Sequence, residues 1–169
     1  MKLGGALYVD LDGNQRYDAG EPGVPGVTVD LLDAGGSLVD TVVTGSNGRY
    51  VFRPGGAGMY VIRVDGSTLS FGLSASADAD GVADGTTAVT VAVGSGETTA
   101  GVDFGHRGPK TLDQHAVGVS PGAIVHLIWA GFDGIFGSGD DVALTTTADA
   151  DGAYAFANLP GGQYSITIG

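Results

Sequence analysis

Short runs of alternating apolar and polar residues follow one another along the whole chain, and turn residues separate them. Residues two apart share a face of a strand, so these runs are typical of half-buried β-strands. We find no sustained i, i+3, i+4, i+7 apolar spacing of the kind that marks an amphipathic helix. The pattern predicts strands at 5–9, 25–32, 38–44, 49–53, 59–64, 86–93 and 100–104, and then near 115–119, 122–129, 142–148, 153–157 and 163–168.

Part of the chain is repeated. Residues 48–52 (GRYVF) align with 152–156 (GAYAF). The same register continues into a Gly-x-Tyr strand at 58–64 and 162–168. The side chains predicted to face a core are Tyr50, Phe52, Tyr154 and Phe156. Upstream, 26–32 match 122–128 at a shorter offset, which places extra residues of the second copy in a surface turn around 133–141.

The repeat predicts an all-β fold of two tandem Greek-key β-sandwich units of the immunoglobulin or prealbumin type. We expect the first unit at 1–108 and the second at 109–169, with the boundary in the Gly- and Pro-containing segment 105–109. The second copy lacks counterparts of the last two strands of the first and is therefore incomplete. A unit of about 60 residues is marginal as an independent core, so it should lean on its neighbour or on further chain.

The composition excludes several kinds of partner and site. Nineteen acidic residues outnumber seven basic ones, and the net charge is −12. Such a chain repels phosphate backbones and anionic lipid, so nucleic acid and membrane insertion are not expected. The longest apolar run, 123–132, is too short to span a bilayer. The chain contains no cysteine, which excludes disulfides and thiolate metal sites.

An acidic segment directly after the first predicted strand has the oxygen-ligand spacing of an EF-hand loop. Positions 1, 3, 5, 9 and 12 of a twelve-residue window hold Asp10, Asp12, Asn14, Asp18 and Glu21. The Arg16 carbonyl is expected at position 7. Position 6, usually Gly for the sharp bend, is Gln15, and Gly13 stands two residues earlier. We expect Ca²⁺ here; the alternative is an acidic turn whose carboxylates face water.

Two further acidic loops are weaker candidates for calcium. Each offers three carboxylates within nine residues or fewer: Asp78, Asp80 and Asp84 in the first, and Asp133, Asp140 and Asp141 in the second. Asp residues are also favoured in plain turns, because their side chains bond to nearby backbone N–H groups. Both interpretations stay open for these two loops.

Candidate chemistry outside the acidic loops is sparse. Trp129 and Phe132 could form a stacking platform for a sugar or protein ligand, or they could pack within the core or between the units. The histidines His106, His115 and His126 lack ligand partners at zinc spacing. There is no nucleophile-elbow sequence. The sequence therefore does not predict an enzyme.

With these motifs laid out, the chain resembles the B-type (SdrD B-like) repeats of serine-aspartate-repeat surface adhesins, which belong with the collagen-adhesin B-type, prealbumin-like sandwiches. The matching segments are 8–14 (YVDLDGN), 18–23, 26–29, 48–52, 58–62 and 102–105. The resemblance implies a structural, calcium-containing stalk repeat that is secreted or attached to a bacterial cell surface. It also implies no catalysis.

The leading functional interpretation is a non-catalytic spacer that projects a binding domain and contacts neighbouring repeats of its own chain. The alternative is a module that binds a surface protein or glycan through Trp129 and Phe132, or an accessory domain of a secreted enzyme. The two interpretations differ in what these aromatic side chains do.

Overall fold

The structure of the protein is a computed structural model that describes residues 2–91, 98–99, 101–115 and 119–169. It consists mainly of short β-strands. The strands of the first unit are β1 (Lys2–Val9), β2 (Thr28–Asp33), β3 (Leu38–Val43), β4 (Arg49–Phe52), β5 (Gly58–Val64), β6 (Ser74–Ala77), β7 (Thr86–Val91), β8 (Thr98–Thr99) and β9 (Phe104–Arg107). Those of the second unit are β10 (Lys110–His115), β11 (Ile124–Trp129), β12 (Val142–Thr147), β13 (Ala153–Leu159) and β14 (Tyr164–Ile168). The one helical segment within these ranges is a 3₁₀ turn at Gly66–Thr68. The predicted all-β class is confirmed.

The first unit is a sandwich of two sheets whose buried faces meet. One sheet has the order β4-β1-β9-β6 with β8 also paired to β1, and the other has the order β3-β2-β5-β7. From β1 to β9, except between β2 and β3 and between β8 and β9, each strand is followed in the chain by a strand of the other sheet. Side chains from both sheets fill one core: Leu3, Leu7, Tyr50, Phe52 and Phe104 from the first, and Val29, Leu31, Ile62 and Val64 from the second.

The second unit repeats part of this arrangement. Strand β13 pairs with β10 as β4 pairs with β1, and β14 pairs with β11 as β5 pairs with β2. The Tyr60 hydroxyl donates to the Gly56 carbonyl at 3.0 Å. The Tyr164 hydroxyl donates in the same way to the Pro160 carbonyl, four residues upstream. The two copies thus share a strand pattern and a local hydrogen bond.

The second unit has open edges where the first is covered. Strand β5 pairs with β7 along its outer edge, whereas β14 has β11 as its only partner among the described residues. Val64 on β5 is 8% exposed, and its counterpart Ile168 on β14 is 47% exposed. The predicted incompleteness of the second copy is visible in this unsealed apolar surface.

The strand predictions were wrong at several places. The predicted strand at 100–104 shares only Phe104 with β9, and β8 was not predicted. The predicted strand at 115–119 starts five residues earlier, as β10, and residues 116–118 lie outside the described part. Residues 105–107, predicted as part of the linker, belong to β9, so only Gly108 and Pro109 separate the strands of the two units. Strand β6 was missed because Ser-Ala-Ser-Ala has no strongly apolar position. Residues 92, 93 and 100 of other predicted strands lie outside the described ranges.

Three side chains belong to both hydrophobic cores. Leu11, Phe71 and Phe132 are partly buried and pack against the core of the first unit and also against that of the second. The core of the second unit consists of Val125, Leu127, Trp129, Val142, Tyr154, Phe156 and Leu159. A division of the chain at 108/109 stays a prediction, because the two cores meet across these shared residues.

Phe52→Ala should destabilise the first unit strongly. Phe52 is fully buried, and truncation of a buried Phe costs about 3–5 kcal/mol through lost apolar burial and the cavity that remains. Val51→Ala is the matched control, because its side chain lies on the outer face of the same strand and is 49% exposed. Urea unfolding followed by circular dichroism measures both free energies. Equal losses for the two variants would contradict the assigned strand faces.

Candidate metal centre

The acidic loop that follows β1 turns sharply at two residues. Gly13 has φ 78° and Gln15 has φ 66°, both in the left-handed region. Gln15 stands at position 6 of the EF-hand-like window, where glycine normally supplies this conformation. The departure from the motif is therefore accommodated, because Gln15 adopts the backbone geometry that the bend requires.

Three carboxylates of this loop converge. Asp10, Asp12 and Glu21 each offer an oxygen, and the three oxygens lie within 4.8 Å of one another. Within the described ranges this is the one group of three or more acidic or histidine side chains that meets this distance. Asp10 is fully buried, Glu21 is half-buried and Asp12 is exposed. The geometry brings together predicted ligands from both ends of the window.

One oxygen of the buried Asp10 carboxylate has no hydrogen-bond partner. Its Oδ2 accepts from Arg107 Nε at 3.2 Å and from the Ser76 hydroxyl at 3.3 Å. Its Oδ1 is buried and unpaired. Burial of an unpaired anionic oxygen is costly unless a cation or a donor compensates for it. A hard divalent cation coordinated by oxygens fits this donor set.

Asn14 and Asp18 lie on the exposed side of the loop. Asn14 Nδ2 donates to Asp12 Oδ2 at 2.8 Å and to Asp18 Oδ2 at 2.5 Å. Asn14 Oδ1 accepts from the Arg16 backbone N–H at 2.7 Å. These contacts hold the acidic side chains close together, but Asp18 is not a member of the three-carboxylate group. The ligand roles predicted for Asn14, Asp18 and the Arg16 carbonyl stay predictions.

Glu21 closes the loop by bonding to its backbone. Its Oε1 accepts from the Leu11 N–H and its Oε2 from the Asp18 N–H, both at 3.0 Å. Partial burial raises the pKa of Glu21, and the nearby charges of Asp10 and Asp12 add to the increase. Protons therefore compete for this carboxylate more readily than for an isolated glutamate, and a cation beside it would oppose that effect.

The acids of the 78–84 loop do not converge in the same way. Asp78 Oδ2 accepts from the backbone N–H groups of Asp84 at 2.9 Å and Gly85 at 2.7 Å. Asp84 Oδ1 accepts from the Thr86 hydroxyl, and this bond lowers the pKa of Asp84. Burial raises the pKa of Asp78. Asp78, Asp80 and Asp84 thus shape a turn, and a calcium role for them stays a prediction.

The carboxylates of the second-unit loop also bond mainly to their own turn. Asp140 Oδ2 accepts from the backbone N–H groups of Phe132 at 2.7 Å and Asp133 at 3.2 Å. Asp140 Oδ1 accepts from the Ser138 hydroxyl at 2.5 Å, which lowers the pKa of Asp140. Asp141 Oδ2 accepts a backbone N–H at 2.6 Å. These bonds account for the acids as loop-ordering groups, and a cation here stays a prediction.

Trp129 is not available as a stacking platform. It is 1% exposed and makes edge-to-face contacts with Phe71 and Phe132, at ring-centroid distances of 6.1 and 4.9 Å. Its indole Nε1 donates to the Gly161 carbonyl at 3.1 Å. The ligand-binding interpretation of Trp129 is corrected on this ground, because a buried indole has no free face. Phe132 is half-buried in the same aromatic cluster.

Three polar residues around the loop were not foreseen from the sequence. Ser76 and Arg107 contact Asp10, and Asn158 Nδ2 donates to the Leu11 carbonyl at 3.2 Å. Each is far from the loop in sequence and carries no local motif. A side chain that reaches a site through sheet pairing leaves no signal in residue spacing.

The fold and this loop define a β-sandwich repeat with an oxygen-rich, acidic loop at the end of its first strand. The model of the SdrD B-like domain family matches residues 1–106, and the chain belongs to this family. The resemblance noted from the sequence motifs is therefore confirmed. Within the described residues, no helix combines the length and the apolar content that a membrane crossing requires.

Relatives of known name include serine-aspartate repeat-containing protein D of Staphylococcus aureus strain Newman, which is 28% identical over 188 aligned positions. Protein C of the same group, from S. aureus strain MRSA252, is 29% identical over 187 positions. Each alignment covers 97% of this chain, but the chain spans 13% and 19% of the length of these relatives.

Solved structures with a similar chain path include the shaft pilin SpaA from Lactobacillus rhamnosus GG, with a TM-score of 0.48, 10% identity and coverage of 99% of this chain and 86% of that one. The Bacillus anthracis TIE protein matches with a TM-score of 0.45 and 17% identity, over 100% of this chain and 28% of that one.

Trp129→Ala should destabilise the second unit by about 3–5 kcal/mol, because it empties a fully buried aromatic site. Ile128→Ala is the control, since Ile128 faces outward on the same strand and is 38% exposed. Circular dichroism follows the unfolding, because the chain has one tryptophan and the variant has none. Unchanged stability of Trp129→Ala would reopen a ligand-binding role.

His106→Phe should flatten the acid dependence of stability. Burial lowers the pKa of His106 to about 4 from an ordinary value of 6.5. Between these values the unfolded chain binds the extra proton, so stability falls as pH decreases from 6.5 towards 4, by about 3 kcal/mol for this group. Urea unfolding at several pH values in EDTA compares the variant with wild type. If the free energies of unfolding of the variant and the wild type change in parallel with pH, His106 is not the source of the acid dependence.

Proposed function

We propose that the chain is a calcium-stabilised, non-catalytic structural repeat of an extracellular or cell-surface bacterial protein. In this role it acts as a spacer between other domains. The buried Asp10 carboxylate, which belongs to the cluster of three carboxylates and has an unpaired Oδ1, is the observation that carries the calcium part of the proposal. Membership of the SdrD B-like family supports the spacer part.

The physical role of calcium in this proposal is to reverse a repulsion. Three carboxylates held within 4.8 Å repel one another, and a divalent cation between them turns the interaction into attraction. Extracellular modules typically bind calcium with Kd of about 0.1–1 mM. At about 1 mM free calcium, a site with Kd of about 0.1 mM stabilises the folded state by about 1.4 kcal/mol. That is a large share of the stability of a small domain.

A spacer gains from rigidity, and two features besides the loop support rigidity here. The first unit seals its core between two sheets, and the aromatic cluster of Phe71, Trp129 and Phe132 packs both units together. Burial of Trp129 removes the main argument for a glycan-binding module. The partners that we propose are therefore calcium ions and neighbouring domains of the same polypeptide.

Thermal unfolding in EDTA, followed by a calcium titration with magnesium as a control, tests the calcium part. We expect the melting temperature to rise by several degrees with calcium and much less with magnesium. Asp10→Asn should abolish the rise, because it removes a carboxylate that the cation would neutralise. Asp40→Asn is the control, since Asp40 is an exposed acid on β3 outside all three loops.

Two results would contradict the proposal. If calcium leaves the melting temperature of the wild-type chain unchanged, the loop is an acidic turn and not a metal centre. If Asp10→Asn retains the full calcium response, the stabilising ion binds elsewhere, and the loops at 78–84 and 133–141 become the first places to search.

A further inference from the structure

Leu11 connects the acidic loop of the first unit to the second unit. Leu11 lies between Asp10 and Asp12, and its N–H donates to Glu21 Oε1 at 3.0 Å. Its carbonyl accepts from Asn158 Nδ2 at 3.2 Å, and its side chain packs against both cores. The peptide between two candidate ligands is thus also an anchor for the second unit.

Asn158 lies within β13 at a β-bulge, where the pairing with β10 shifts register between Lys110 and Leu112. It has φ 57°, a left-handed conformation that is unusual for a residue other than glycine. The register of the internal repeat aligns it with Pro54, whose ring fixes φ near −65°. Proline cannot adopt this conformation, so the left-handed residue is particular to the second copy, where the bulge accounts for it. From the bulge, the Asn158 side chain reaches the Leu11 carbonyl.

A second connection runs through the short linker. Arg107 Nε contacts Asp10 Oδ2 at 3.2 Å, and a terminal guanidinium nitrogen of Arg107 donates to the Gly13 carbonyl at 3.0 Å. The next residue, Gly108, donates its N–H to the Asn158 carbonyl at 3.1 Å. The loop, the linker and Asn158 therefore form a closed ring of contacts, and Asn158 uses both its side chain and its carbonyl.

We propose that cation occupancy of the Asp10–Glu21 loop sets the orientation of the second unit, with Leu11 and Asn158 as the connection between them. The inference rests on the proposed calcium function. A cation that gathers Asp10, Asp12 and Glu21 fixes the peptide of Leu11 and, with it, the carbonyl that Asn158 holds. Without the cation, the three carboxylates repel one another and the anchor loosens.

The other contacts of the joint do not involve the acidic loop. The Gly161 N–H donates to the Phe71 carbonyl at 2.7 Å, and Phe71 and Phe132 pack against both cores. These contacts keep the units together when the loop is empty. The expected effect of calcium is therefore a narrower range of orientations, and not attachment of a detached unit.

Distances between spin labels test this directly on the full chain. The protein has no cysteine, so Thr41→Cys on β3 and Thr147→Cys on β12 provide two unique, exposed labelling positions, one in each unit. Pulsed electron–electron double resonance then gives the distribution of distances between the two spin labels. We expect a broad distribution in EDTA and a distinctly narrower one in saturating calcium.

Asn158→Gly separates the joint from the metal centre. Glycine accepts the left-handed backbone and removes only the amide side chain, so the variant should retain the calcium-induced rise in melting temperature. Its inter-unit distance distribution, however, should stay broad in saturating calcium. Asn158→Asp should do the same, because a carboxylate cannot donate to the Leu11 carbonyl and is repelled by the acidic loop. Asn47→Gly, in an exposed turn of the first unit, is the matched control and should behave as wild type.

The outcomes distinguish this inference from the function on which it rests. A calcium-induced rise in melting temperature with no change in the distance distribution would contradict the proposed coupling between the loop and the second unit. The proposed calcium site would still be supported. Normal narrowing in both Asn158 variants would also overturn it, because the connection would then lie elsewhere. No melting response at all would overturn both.

Discussion

The structure depends on a negative charge that the fold places out of water. Asp10 follows β1 directly, and its backbone N–H donates to the His106 carbonyl at 2.7 Å, so the pairing of β1 with β9 fixes where its side chain lies. A buried carboxylate is tolerated only with compensating partners. Arg107 and Ser76 compensate one oxygen, and the other has no hydrogen-bond partner. The proposed calcium site rests on this placement, because Asp10 lies close to Asp12 and Glu21 and keeps one oxygen without a partner.

The second unit repeats only part of the sandwich and is stabilised further by packing against the first unit. Its β13 and β14 reproduce β4 and β5 of the first unit, but the described residues provide no counterparts of β7 and β9. Packing against the first unit through Leu11, Phe71 and Phe132 covers part of the apolar surface that remains. The two parts of the chain are therefore coupled by side-chain packing as well as by the two residues that separate β9 from β10.

Alternation predicted most of the strands because one face of each strand is buried. Tyr50, Phe52, Tyr154 and Phe156 all point into the cores, as their spacing requires. The strand prediction was wrong where a strand has few apolar residues to mark its buried face. Strand β6 consists of Ser and Ala, and β10 has a single strongly apolar residue, Leu112. Both strands form because a neighbouring strand offers hydrogen bonds, a term that local sequence does not contain.

The sequence by itself determined the all-β class, the internal repeat and the position of an oxygen-rich loop, because each depends on spacing between residues close in the chain. Only the tertiary structure decided which carboxylates of that loop converge, that Trp129 is buried, and that Asn158 reaches Leu11 across 147 positions. The reason is physical. Spacing fixes which face a side chain takes, but the pairing of distant strands fixes what that face meets.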